Sequence, residues 1–203
     1  LNRSQLHRAG QGPLPIDGVE GKVDGEIKIG MPLVNDASVV RATGKARISD
    51  IKGKSKDYHV DLNGGTIDVD VSEAGVIAKG DLMVNGVVTK LQMHRLLEAA
   101  PEAQPPTKLT ATLDNADRNQ LGLDVNHFVQ GTMPIDVTIT HRGEGPPMVH
   151  VRADLTKAEL LFQGVSWKKP PGRPASLDFD VSPSETAGHM DLKNFKLVGD
   201  NIA

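Results

Sequence analysis

The chain has 203 residues, enough for one large domain or for one slice of a repetitive architecture. Its 23 basic and 26 acidic residues are mixed along the chain and leave a formal charge of −3, which argues against nucleic acid or an anionic lipid surface as a partner. With no cysteine there is neither a disulfide framework nor a thiolate metal site, and 3% aromatic residues are too few for an aromatic-walled pocket.

Residues 1–22 read as a partly irregular lead-in to a single 1–203 segment. The start "LNRSQLHRAGQGPLP" lacks the apolar core of a signal peptide, and no apolar run approaches the roughly 20 residues of a membrane-spanning helix. Thereafter the dominant pattern is period-two alternation broken by turn residues. It predicts strands near 24–30, 38–48, 56–63, 65–72, 75–84, 86–94, 107–113, 130–142, 147–155, 157–163, 174–181 and 188–198. The expected turns are Asn63-Gly64-Gly65, Glu73-Ala74-Gly75, Asn85-Gly86 and Gly143-Glu144-Gly145-Pro146-Pro147.

Three strands show the alternation most clearly. Ile67, Val69 and Val71 oppose Asp68 and Asp70; Ile135, Val137 and Ile139 oppose Asp136, Thr138 and Thr140; Leu177, Phe179 and Val181 oppose Asp178 and Asp180. "AELLFQGV" adds Leu160 and Phe162 on one face. Trp167 is expected to end that strand at a hairpin corner made by Pro170, Pro171 and Gly172, covering the rim of the apolar face. The stems of Lys168 or Lys169 would lie along it, with their ammonium groups in water or near lipid phosphate.

Helix is scarce. "LDNADRNQLG" predicts one short helix capped by Asp114 or Asn115 and ended by Gly122, with a local salt bridge from Asp114 or Asp117 to Arg118. "HRLLEAAPEAQPP" is stopped by Pro101, Pro105 and Pro106 and reads as a loop or edge.

One apolar face per strand, almost no helix and few bulky aromatics leave two architectures. One is an aliphatic β-sandwich or barrel; the other is an open, curved sheet whose apolar face stays available to an apolar ligand. The seven histidines, at 7, 59, 94, 127, 141, 150 and 189, show no metal-ligand spacing, and the acid pairs 68/70 and 178/180 fall on wet strand faces. No catalytic or cofactor motif is present, so catalytic, metal and cofactor residues are all expected to be none.

Several stretches resemble the AsmA-like proteins of the Gram-negative envelope, in the TamB/YhdP-type branch. They are "GKVDGEIKIGMPL", "GKARISD", "DVSEAGVIAKGDLMVNG", "LDNADRNQLGLD", "ADLTKAELLFQGVSWKKPPGRPA" and "GHMDLKNFKLVGD". The most specific blocks are Asp-Leu-Thr…Trp-Lys-Lys-Pro-Pro-Gly and Asp-Arg…Leu-Gly-Leu-Asp. The resemblance implies an all-β, antiparallel meander curved into an elongated U-shaped groove, with at most one or two short helices. It implies a periplasmic protein tethered to the inner membrane by an anchor outside this chain, and a bridge that carries phospholipid between the two membranes. "NFKLVGDNIA" stops within a strand-like pattern, so the chain is expected to be an internal segment.

The expected partners are phospholipid acyl chains and inner- or outer-membrane proteins. The groove candidates are Ile67, Val69, Val71, Ile135, Val137, Ile139, Leu160, Phe162, Leu177, Phe179 and Val181, with Trp167 at the rim. Two acyl chains of about 16 carbons hold roughly 25 kcal/mol against passage through water, so a carrier must keep them dry throughout. Twelve strands at about 4.8 Å would give about 55 Å of groove. The alternative is a non-conducting scaffold in outer-membrane protein or envelope assembly; an enzyme acting on envelope lipid or glycan ranks third.

Overall fold

In the computed structural model, residues 16–30, 41–55, 57–141, 146–162, 164, 167–184 and 189–199 are described. Most of the lead-in, the beginning of the strand expected from 38 and the turn at Gly143-Glu144-Gly145 lie outside them.

The chain is all-β and antiparallel. It starts with β1 (Asp17–Gly30), β2 (Arg41–Ser55), β3 (Val60–Val71), β4 (Gly75–Val84), β5 (Val87–Leu96) and β6 (Thr107–Leu113). A short helix, α1 (Asn115–Gln120), leads to β7 (Val129–Gln130), β8 (Met133–Thr140) and β9 (Met148–Asp154). The chain continues with β10 (Glu159–Phe162), β11 (Trp167–Lys169), β12 (Ala175–Pro183) and β13 (Met190–Gly199). Ten strands form one open sheet in the order β1-β2-β3-β4-β5-β6-β8-β9-β12-β13, and β11-β10-β7 form a second, small one.

The main sheet is a meander with two excursions. The first, α1 and β7, leaves between β6 and β8; the second, the β10–β11 hairpin, leaves between β9 and β12. Both emerge at the same end of the sheet and pair with each other, Leu160 opposite Val129 and Glu159 opposite Gln130. The described strands of the main sheet span about 43 Å at 4.8 Å per step, shorter than the twelve-strand expectation, for two reasons. The segments expected at 56–63 and 65–72 are one strand, β3, and the segment expected at 157–163 leaves the sheet.

The merging of β3 comes from glycine. Gly64 and Gly65 have φ of 152° and 121° and absorb a register shift against β4 between Leu62 and Gly65, and a Cβ on Gly65 would collide with the Asp81 carbonyl. The expected turn is therefore a bulge. Asn85-Gly86 is a true two-residue hairpin turn, with φ of 48° and 82°, both positive as a type I′ turn requires. β1 starts at Asp17, within the lead-in, and its first residues are irregular: the register against β2 shifts twice between Asp17 and Lys22.

Between β5 and β6 the proline-stopped segment forms one 3₁₀ turn, Pro101–Ala103. Buried Gln104 continues the ladder with its side chain, accepting from Leu96 N–H at 2.9 Å and donating to Leu96 and Ala99 carbonyls at 2.8 and 2.9 Å. This satisfies backbone groups that the loop leaves unpaired.

Candidate functional site

The registers show what the alternation builds. One hydrogen-bonded row runs Val23–Ile48–Ile67–Gly80–Leu91 through β1 to β5 and continues Leu109–Val137–Val151–Phe179 through β6, β8, β9 and β12. Every member is apolar or glycine. The adjacent row, pointing to the other face, runs Asp24–Arg47–Asp68–Lys79–Gln92, then Lys108–Thr138–His150–Asp180–Lys193, and every member is polar. Along these two rows the sheet is apolar on its inner face and polar on its outer face.

On the outer face the charges pair across strands. Arg47 donates to both oxygens of Asp68 at 2.7 and 3.3 Å, Lys45 lies 3.4 Å from Asp70, and His150 Nδ1 sits 2.8 Å from Asp180. The Arg47 hydrogen bond holds the Asp68 carboxyl below its ordinary value. The acid pairs 68/70 and 178/180 therefore belong to a solvated, charge-matched surface.

The inner face is covered in two places. At the end reached by the excursions, the small sheet packs on Leu113, Met133, Ala153 and Ala175, forming a core with Leu155, Ala158 and Leu160. Ile135 and Leu177 belong to this covered region. Leu160 and Phe162 are part of the cover and not of the sheet wall, because β10 pairs with β11 and β7. Trp167 does not end their strand. It opens β11 opposite Phe162, half-buried against the core, with ring centroids 5.6 Å apart and Phe128 stacked on the far side of Phe162 at 5.8 Å. Gly172, at φ 91°, makes the expected reversal into β12.

Two buried cations hold this cover. Arg118 is fully buried and turns away from the helix surface. Its five N–H donors go to Asn126 Oδ1 (2.7 Å), Leu113 and Gly131 carbonyls (3.4 and 2.9 Å), Asn115 Oδ1 and the Val129 carbonyl (3.0 Å). The expected Arg118 salt bridge is thus replaced by neutral acceptors: Asp114 and Asp117 are engaged with each other's backbone in a reciprocal cap of α1, at 2.9 Å each way. Lys169, 2% exposed, gives its ammonium to the Ala158, Pro170 and Thr156 carbonyls at 2.8, 3.2 and 3.4 Å, so it faces neither water nor lipid. Burial pushes the pKa of both cations down. Lys168 remains at the surface, 2.9 Å from Glu159.

The second covered place is a clasp. Tyr58, in the β2–β3 turn, lies across the inner face against Ile139 and Val149, with Val60, Val137, Val151 and Val181 around it, and donates to the Pro147 carbonyl at 3.3 Å. The turn is pinned by Asn85, which accepts from Asp61 N–H at 2.6 Å and donates to the His59 carbonyl at 2.8 Å. One hairpin turn thus positions the next. Burial raises the Tyr58 pKa above 10.0.

Among the described residues, the inner face of β1 to β4 packs into neither cluster, although Ile51 of β2 and Ala78 of β4, opposite Val69, are themselves buried. Ile48, Ile67, Val69, Val71 and Val76 are half-buried and belong to neither packed cluster. Val23 on β1 is 67% exposed, and at the opposite edge Phe195 on β13 is 62% exposed and stacks on Phe179 at 6.5 Å. The structure thus divides the groove candidates. Ile67, Val69, Val71 and Phe179 lie outside both clusters; Val137, Ile139 and Val181 lie under the clasp; Ile135, Leu160, Phe162, Leu177 and Trp167 belong to the covered end. Tyr58 and the burial of Arg118 and Lys169 had no counterpart in the sequence reading; the signal available for Tyr58 is that it is the chain's single tyrosine.

No family model, curated protein or solved structure matches the chain.

Proposed function

We propose that the chain is a segment of a periplasmic, inner-membrane-tethered bridge that conducts phospholipid between the inner and outer membranes, with acyl chains lying on the uncovered inner face of β1 to β4. The observation that supports this reading is the unbroken apolar row from Val23 to Phe179, whose first strands carry no covering layer among the described residues. Apolar strand faces that join no packed core are the kind of surface that takes an apolar ligand. The resemblance to AsmA-like proteins points the same way. The chain purified from Gram-negative cells should carry extractable phospholipid, and Val69→Asp should strip it; a lipid-free wild-type protein would overturn the reading.

A scaffold in envelope or outer-membrane protein assembly is the second reading. It is favoured by the β1 and β13 edges, which pair with no further strand among the described residues and so offer backbone donors and acceptors to a partner's strand. Partner capture that survives Val69→Asp, with no lipid bound, would select it.

A further inference from the structure

The apolar inner face is interrupted by charge at one point. Arg95, near the end of β5, stands opposite Val76, and Val76 stands opposite Val71, so its half-buried side chain shares the inner face with the uncovered valines. Among the described residues the Arg95 side chain makes no hydrogen bond or ion pair. An arginine beside apolar surface without an anionic partner is costly unless something else neutralises it.

His141 lies on the same level of the sheet. It follows β8 two residues after Ile139, an inner-face residue, and alternation puts it on that face too. Counting the β5–β6 and β6–β8 registers onward places Arg95 and His141 level with each other, two strand positions apart, about 10 Å. Its Nε2 is buried with no hydrogen-bond partner. Burial, and secondarily the Arg95 charge, hold the His141 pKa below 6.5, so at neutral pH the ring is uncharged and keeps a single N–H donor. A guanidinium with no counter-ion among the described residues and a neutral imidazole thus flank one end of the apolar row Val71–Val76.

We infer that Arg95 and His141 form a phosphate-recognition site for an amphiphile whose acyl chain lies along Val71, Val76 and Val69. This rests on the trough binding lipid and adds that it grips the headgroup at a fixed place. Arginine supplies the paired donors that match phosphate oxygens, and the histidine adds one neutral donor on the far side. The tail runs from Arg95 toward β3, whose inner-face valines join neither packed cluster among the described residues. The same chemistry would recognise a lipid phosphodiester or a free phosphate.

The test titrates three ligands into the 203-residue chain by calorimetry: short-chain phosphatidylglycerol below its micelle concentration, diacylglycerol with the same chains, and inorganic phosphate. Wild type should bind phosphatidylglycerol at least about tenfold more tightly than diacylglycerol. Arg95→Gln should erase that preference without changing diacylglycerol binding, His141→Phe should reduce it by about threefold, and Arg95→Lys should keep most of it. Val69→Asp should weaken both lipids together. Arg95 has no partner to lose among the described residues, so the thermal melting of Arg95→Gln should match wild type, which separates a lost contact from a lost fold. Wild-type affinity for phosphatidylglycerol in Arg95→Gln would overturn the phosphate site while leaving the trough reading intact. Failure of every variant, wild type included, to bind either lipid would overturn both. Inorganic phosphate bound as tightly as phosphatidylglycerol, and insensitive to Val69→Asp, would support the anion site and overturn its assignment to lipid.

Discussion

The two halves of the inner face are built from the same residues and treated differently. From β6 onward, Leu113, Met133, Ala153 and Ala175 disappear beneath the small sheet, and Ile139 and Val149 beneath Tyr58. From β1 to β4, Ile48, Ile67, Val69 and Val71 keep the same spacing and the same aliphatic chemistry, are half-buried, and join neither cluster among the described residues. The difference lies not in the strands but in what their connections do. Every described link between β2 and β6 is a short turn or loop, whereas the β6–β8 and β9–β12 connections are long enough to make a layer. A cover fastened by two buried cations makes one half a folding core and leaves the other outside it among the described residues.

The comparison can be broken most severely by truncation. Leu160→Ala, in the covered end, should cost about 4 kcal/mol in urea unfolding, within the range for a buried leucine that leaves a cavity. Ile67→Ala, in the open half, should cost about 1 kcal/mol, because its side chain is only half-removed from water. Equal costs would contradict the division of the inner face into a packed and an open half.

Arg118→Met should cost about 3 kcal/mol. It strands the Leu113, Val129 and Gly131 carbonyls and the Asn115 and Asn126 side chains that the guanidinium satisfies. Hydrogen exchange should then quicken in α1 and β7 and stay unchanged in β2 to β4.

Tyr58→Phe removes one hydrogen bond and should cost about 1 kcal/mol. The sign with pH follows from burial, which raises the folded-state pKa above 10.0. The clasp is intact below 10, and its contribution is lost as pH climbs through the raised folded value, where ionisation favours the opened state. Since Tyr58 is the only tyrosine, its phenolate absorbance titrates the clasp directly. Titration at or below 10 would contradict a buried phenol.

At the small end of the scale, Arg47→Gln should leave stability unchanged within error, because its pairing with Asp68 is exposed on the outer face.

Much of this was legible in the sequence, and the rest depended on long-range pairing. The alternation Ile67, Val69, Val71 against Asp68, Asp70 defines a strand with one dry face wherever that strand ends up, and Asn85-Gly86 defines its turn chemically. "ELLF" looks like the same kind of strand. It joins a different sheet because β7, about thirty residues upstream, is there to pair with it. Asn63-Gly64-Gly65 satisfies the composition of a turn and of a bulge equally, and only the pairing of β4 along both sides of it decides.

Arg118 and Lys169 were unreadable for a related reason. A cation turns inward only when folding gathers enough carbonyl and amide oxygens to replace its water, and those come from residues as far apart as Leu113 and Gly131. Arg95 and His141 are likewise unremarkable in sequence and become a pair only through two successive registers.

The central claim is that the uncovered inner face receives acyl chains. A photo-crosslinking residue at Val69, compared in cells with the same residue at Asp68 on the outer face and at Ile139 beneath Tyr58, tests it most directly. The account expects phospholipid adducts at 69 and none at 68 or 139. Adducts at 68 alone, or equal labelling at all three positions, would contradict it.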